Sequence, residues 1–131
     1  LRDREDGNTG NVASDLTYVL TRRPPDEFED VRMRMMPGLI AYSAMHPEFG
    51  TAWRNSVMEP ARDAVRGVLR RGIQAGQLRK NLNLDASICL LLGPMLYRHI
   101  FEASSKLTVE QLGREAAHGF VRAFGPTQRH S

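Results

Sequence analysis

A single cysteine, Cys89, excludes a disulfide framework and a thiolate zinc site. It lies inside an apolar run, Ile88 to Tyr97, and reads as a small core residue of a reducing compartment. Lysine is almost as scarce: Lys80 and Lys106 are the only two, so the net charge of +3 comes almost wholly from arginine. So small an excess is weak support for nucleic-acid binding by these residues themselves. Apolar runs of spanning length are missing as well, since a membrane helix needs roughly 18 residues. Ile88 to Tyr97 is bounded by Asp85 on one side and by Arg98, His99 and Glu102 on the other. The reading is a soluble, cytoplasmic chain with no membrane partner. Its start, LRDREDGNTG, has neither an initiator Met nor the apolar segment of a signal peptide, as expected of a piece cut from a longer protein.

The signatures of catalysis and metal binding are also absent. His46, His99, His118 and His130 share no i, i+4 pairing, and no HExxH or Cys/His spacing occurs. His99 and Glu102 stand three apart, but as the polar flank of a buried helix they need no metal. There is no GxSxG, and Cys89 sits among leucines with no cation nearby to favour its thiolate. GNTG at positions 7–10 follows no strand and so is neither a phosphate loop nor a dinucleotide fingerprint. The expectation is a non-enzyme without metal or cofactor.

What is present is helical periodicity. With 41% hydrophobic and 25% charged residues over 131 positions, the chain has the composition of one globular domain. Asn11 can cap a first helix to Arg22 with the stripe Val12, Leu16, Val19, Leu20, and Pro24-Pro25 ends it. Asp26 starts a second with acids in its first turn, carrying Phe28, Val31, Met35, Leu39 and Tyr42, with a bend at Pro37-Gly38. A third opens at His46-Pro47 and keeps one stripe, Phe49, Trp53, Val57, Ala61, Val65, Val68, Leu69, Ile73, through a kink at Pro60 to a C-terminal Gly76. Asp85 leads a fourth from about Leu84 to Ala103, and Thr108 caps a fifth with Val109, Leu112, Ala116, Ala117, Phe120, Val121 and Phe124 inward. No strand pattern competes. The architecture is an all-α bundle of about five helices over 11–125, between a flexible segment 1–10 and a tail 126–131.

Three features leave alternatives open. The row Arg62, Arg66, Arg70 beside Arg71 can touch phosphates, or it is the solvated face of a helix partly neutralised by Glu59 and Asp63. Six methionines with Tyr42, Trp53, Tyr97 and Phe101 are either plain core or the adaptable lining of a ligand cavity. Gly113, Ala116, Ala117, Gly119 and Ala123 mark close helix approach, within the chain or with a second copy.

The order of motifs resembles a known family. The run HPEFGTAWRNSVMEPARDAVRGVLRRGIQAGQLRKNLNLDASICLLLGPMLYRHI resembles the C-terminal regulatory domain of TetR-family transcriptional repressors. There a DPEL start leads to a long helix with a central PRR, a RGxxxGELR exit, an Asp cap and LLLGPLYYR. NTGNVASDLTYVL and MMPGLIAYSAMHPEF are similar to that family's DTGSLREDL and LPGLIAEAARDPEL. Gln77 replaces the family's Glu, Ala61-Arg62-Asp63 stands for RRA, and one Tyr precedes Arg98-His99 rather than two. The resemblance implies a ligand-responsive regulator whose helix-turn-helix head, which reads operator DNA, precedes this segment. It implies a homodimer paired through the last two helices, with Leu92, Met95, Leu96, His99, Leu112, Ala116 and Phe120 at the interface. It also implies a pocket for a small effector, with Met36, Ile40, Trp53, Val57, Met58, Tyr97 and Phe101 as its lining. Such a lining suits an apolar or aromatic molecule. Gly93-Pro94, inside the greasiest run, would bend the penultimate helix so that it serves both surfaces. The alternative is a helical protein–protein interaction module with no pocket.

Overall fold

The computed structural model describes residues 7–22, 29–101 and 106–126, and among these the chain is all α. The helices are α1 (Val12–Thr21), α2 (Glu29–Met45), α3 (Pro47–Trp53), α4 (Glu59–Gln74), α5 (Leu84–Phe101) and α6 (Val109–Phe124). A π turn, Arg54–Met58, joins α3 to α4. The long third helix expected from the sequence is therefore one helical run in three pieces. Pro60, in the first turn of α4, has no N–H to offer the preceding turn. The π turn just ahead absorbs that mismatch, and the Glu59 N–H reaches back five residues to the Arg54 carbonyl. The start expected for the second helix at Asp26 lies outside the described residues, as do Phe28, Glu102 and Ala103.

Side-chain caps set the helix starts. Asn11 accepts the Ser14 N–H at the head of α1, and Thr108 and Gln111 form a reciprocal capping box on α6. On α5 the cap is Asn83, whose Oδ1 accepts the Ala86 N–H at 2.9 Å. Asp85, expected in that role, falls in the first turn, where the helix dipole still favours its charge. α4 ends as expected at Gly76, whose φ of +78° lies in the left-handed region. The Gly76 N–H bonds to the Ile73 carbonyl and the Gln77 N–H to the Gly72 carbonyl, which is the Schellman arrangement.

The core lies where α1 packs among α4, α5 and α6. Leu16, Val65, Val68, Leu69, Leu78, Ile88, Leu91 and Ala117 are all at most 2% exposed and form one cluster, with Val12, Leu20 and Phe120 beside them. Val65, Val68 and Leu69 come from the stripe read off the third helix. Gly113 of α6 shows why a small residue is needed: a Cβ there would collide with Thr21 Cγ2 of α1. That close approach is made within the chain.

Cys89, expected in the core, is exposed. The helical phase that sends Ile88 and Leu91 inward turns the residue beside Ile88 outward. Leu90, Tyr97 and Phe101 are exposed on the same helix, and Met35 and Tyr42 on α2. By length and composition α5 is apolar enough to cross a membrane. Its Ser87, Ile88 and Leu91, however, are part of the packed interior.

The loop Gly76–Asn83 ties the frame together. Gln77 accepts the Val12 N–H at 2.8 Å and donates to the Gly10 carbonyl at 2.6 Å. Leu78 enters the core, and Arg79 reaches the end of α6, donating from its backbone to Phe124 O and from its guanidinium to Ala123 O. The segment from Gly7 to Asn11, expected to be loose as far as Gly10, is held here. Arg71 donates to Gly7 O, and the buried Asp15 carboxylate accepts from both the N–H and the hydroxyl of Thr9.

Gln77→Ala removes two hydrogen bonds at the head of α1 and should lower unfolding stability by about 1–2 kcal/mol. Urea denaturation followed by circular dichroism checks this, and an unchanged midpoint would count against the clamp.

Candidate ligand cavity

α2 and α3 meet at a corner built from aromatic rings. The His46 ring stacks on Tyr42 with centroids 3.8 Å apart, and Phe49 meets Tyr42 edge-on at 5.0 Å. The Gly50 N–H bonds to the His46 carbonyl at 2.8 Å. Gly50 itself is buried, because a Cβ there would stand 2.6 Å from the Ser43 carbonyl oxygen. The Ser43 hydroxyl is turned back on its own helix, donating to Ile40 O at 2.8 Å.

Beside this corner opens a cavity of about 450 Å³, within the range of small-molecule sites. α2 contributes Ser43 and Ala44, and α3 contributes Gly50 and Trp53. The π turn adds Arg54 and Met58, and α4 adds Glu59 and Arg62. The lining thus mixes the half-buried apolar Trp53 and Met58 with the charged Arg54, Glu59 and Arg62.

Of the residues expected to line a pocket, the structure brings together Trp53 and Met58. Ile40 is half-buried on α2 one turn before Ser43 and does not reach the cavity. Tyr97 and Phe101 stand exposed on α5 with their rings 5.3 Å apart, away from it. α5 presents them to the side opposite Ile88 and Leu91, on a separate exposed face. The side chains of Met36 and Val57 lie outside the described residues. Sequence reasoning missed Ser43, Gly50, Arg54, Glu59 and Arg62. Arg62 and Glu59 were placed on a charged face that either touches phosphates or is solvated, Arg54 was not singled out, and no periodicity announces that a π turn rotates that face toward a corner.

The electrostatics of the charged wall are loose. Arg62 Nε stands 3.5 Å from Glu59, and its Nη2 stands 3.9 Å from Asp85 on α5. Further along α4, Arg66 pairs with Asp63, as expected of a partly neutralised face. Among the described residues Arg54 has no ion-pair partner, and no three His, Cys, Asp or Glu side chains converge on a metal position.

The residues expected at a two-fold interface divide. Leu92, Met95, Leu96, His99, Leu112 and Ala116 are half-buried in the single chain. Phe120 is not available to a partner: it is 6% exposed, belongs to the core and packs on Phe124 at 4.7 Å. His99 Nε2 is buried without a hydrogen-bond partner. Around Gly93 and Gly119 an added Cβ would meet nothing within 4 Å, so neither glycine serves a close approach within this chain.

Gly50→Ala forces the α2–α3 corner apart and should destabilise the chain by about 1–3 kcal/mol. The emission of Trp53, the sole tryptophan, should shift with it. Thermal unfolding and fluorescence of the variant check both.

Comparison with known proteins gives two matches. The family model described as tetracyclin repressor-like, C-terminal domain, matches residues 6–118. An uncharacterized HTH-type transcriptional regulator, YdeS, of Bacillus subtilis (strain 168) is 37% identical over 60 residues. That match covers 46% of this chain and 30% of the relative's length. No solved structure matches.

Proposed function

The chain belongs to the tetracyclin repressor-like, C-terminal domain family, and we propose that it is the effector-binding and dimerising part of a transcriptional repressor. The observation that carries the ligand half is the cavity of about 450 Å³ against Trp53 and Met58. Its apolar wall suits a small molecule with an apolar or aromatic body. The chain performs no chemistry on that molecule in this reading, needs no cofactor, and works in the cytoplasm. Operator DNA is bound through a helix-turn-helix preceding these residues, the kind of regulator that the relative's name describes.

Two copies pair through α5 and α6, holding two DNA-reading heads about one helical turn apart. Supporting this, α5 leaves Leu90, Tyr97 and Phe101 exposed. α6 carries Leu112, Ala116, Gly119 and Ala123 at spacings of four, three and four, on a side where Gly119 meets nothing in its own chain. An effector that favours one head separation needs only roughly 1–3 kcal/mol of coupling to change operator affinity about 5- to 150-fold.

Native mass spectrometry of the 131-residue chain tests both halves, with a dimer carrying added small-molecule mass as the expected result. A bare monomer at micromolar concentration would favour a helical interaction module that uses the α5 face for another protein. Gly119→Arg separates assembly from folding. The variant should keep its circular dichroism spectrum and melting behaviour, since the site is open within the chain, yet run as a monomer.

A further inference from the structure

The cavity wall carries more positive than negative charge, and its cations are poorly engaged. Arg54, Glu59 and Arg62 are the charged residues of its lining, and Asp85 of α5 stands beside Arg62. The Arg62 contacts, at 3.5 Å to Glu59 and 3.9 Å to Asp85, are well outside the roughly 2.7–2.9 Å of a formed guanidinium–carboxylate hydrogen bond. Asp85 is 85% exposed while the Arg62 side chain is 27% exposed, so water competes for the acid far more than for the base. Arg54 has no ion pair at all among the described residues. A guanidinium this loosely held, in the same lining as an indole and a thioether, has the donors to take a planar anion.

We propose that the ligand of this cavity is an amphipathic monoanion, an organic carboxylate whose apolar or aromatic body lies on Trp53 and Met58 while its head is taken by Arg62, with Arg54 completing the positive rim. This rests on the ligand-binding reading above and names the chemical class it admits. A neutral body alone would leave Arg62 in its loose contacts and Arg54, among the described residues, without an ion pair. The guanidinium fork offers two parallel N–H donors to a carboxylate, a geometry that a neutral amide cannot match with two acceptors. Because Arg62 also faces Asp85, the incoming head draws it away from the first turn of α5. Occupancy is thereby registered on the helix that carries half of the proposed dimer surface.

The test uses a matched pair of probes, 4-phenylbutanoate and 4-phenylbutanamide, which share one body and differ in charge. Each is titrated into the 131-residue chain while the emission of Trp53 is recorded. The expected result is saturable change with the carboxylate, at a midpoint at least ten-fold below that of the amide. Arg62→Gln should collapse this ratio toward one without abolishing the amide response. Equal midpoints for the two probes in the unmodified chain would overturn the anion class while leaving the cavity as a binding site. A ratio unchanged in Arg62→Gln would overturn the assignment of the head to Arg62. Absence of any emission change with either probe at millimolar concentration would overturn the ligand-binding reading and this inference with it.

Discussion

Three consecutive residues, Gln77, Leu78 and Arg79, hold the frame of this domain. Their place is set by the left-handed Gly76, which stops α4 and turns the chain so that the next side chains point three ways. Gln77 closes the head of α1, Leu78 fills the core, and Arg79 closes the tail of α6. Helix ends are where a bundle is weakest, because the terminal N–H and C=O groups lack partners within the helix. One short loop here satisfies two ends that belong to helices at opposite extremes of the sequence. Without it, α1 and α6 would still attract each other through Leu16, Ala117 and Phe120. They would do so without fixed register, and the contact of Gly113 with Thr21 tolerates little sliding.

That frame divides the molecule into two regimes. Where α1 meets α4, α5 and α6 the side chains are fully buried and interlocked, as close packing in interiors requires. α2 and α3 pack on each other and touch the rest more sparingly, and there, among the described residues, the buried position is Gly50 rather than a large side chain. The cavity sits at this second regime. Its floor is the helical run from α3 to α4, whose far end is anchored in the core while its near end opens into a π turn.

Much of the fold was legible because helical periodicity is local. Leu16, Val65, Val68, Leu69 and Ala117 follow from spacings of three and four, and the caps Asn11 and Thr108 follow from residue type beside those stripes. The difference between Asp85 and Asn83 as the cap of α5 was not legible, since two good capping residues stand two apart and only the backbone selects between them. Cys89 was misread because a continuous apolar run has no internal phase: Ile88, Cys89, Leu90 and Leu91 look alike until a neighbour decides which side is inside. The same holds for Tyr97 and Phe101. An amphipathic stripe records that a face is to be covered, and says nothing of whether its own chain covers it. The clamp by Gln77 spans 65 residues in sequence and leaves no local signature at all.

The cavity was legible only on its apolar side, for a physical reason that bears on how such a site responds. Trp53 belongs to the stripe and Met58 to the methionines read as adaptable lining, whereas Glu59 and Arg62 were read with the charged face of the helix. On a strict 3.6-residue repeat Arg62, nine residues after Trp53, would point about 180° away from it. The π turn supplies the missing rotation: one extra residue in a turn advances the following helix by about 100° relative to the preceding one. Proline at position 60 makes that distortion cheap, because it has already removed a donor from the ladder. Straightening the run would therefore turn Arg62 away from Trp53, and a ligand bridging the two would hold the distortion in place. On the proposed reading, ligand affinity and the geometry of the α3–α4 run are one equilibrium seen from two ends, and that coupling would give a small molecule at Trp53 leverage on helices that it does not touch.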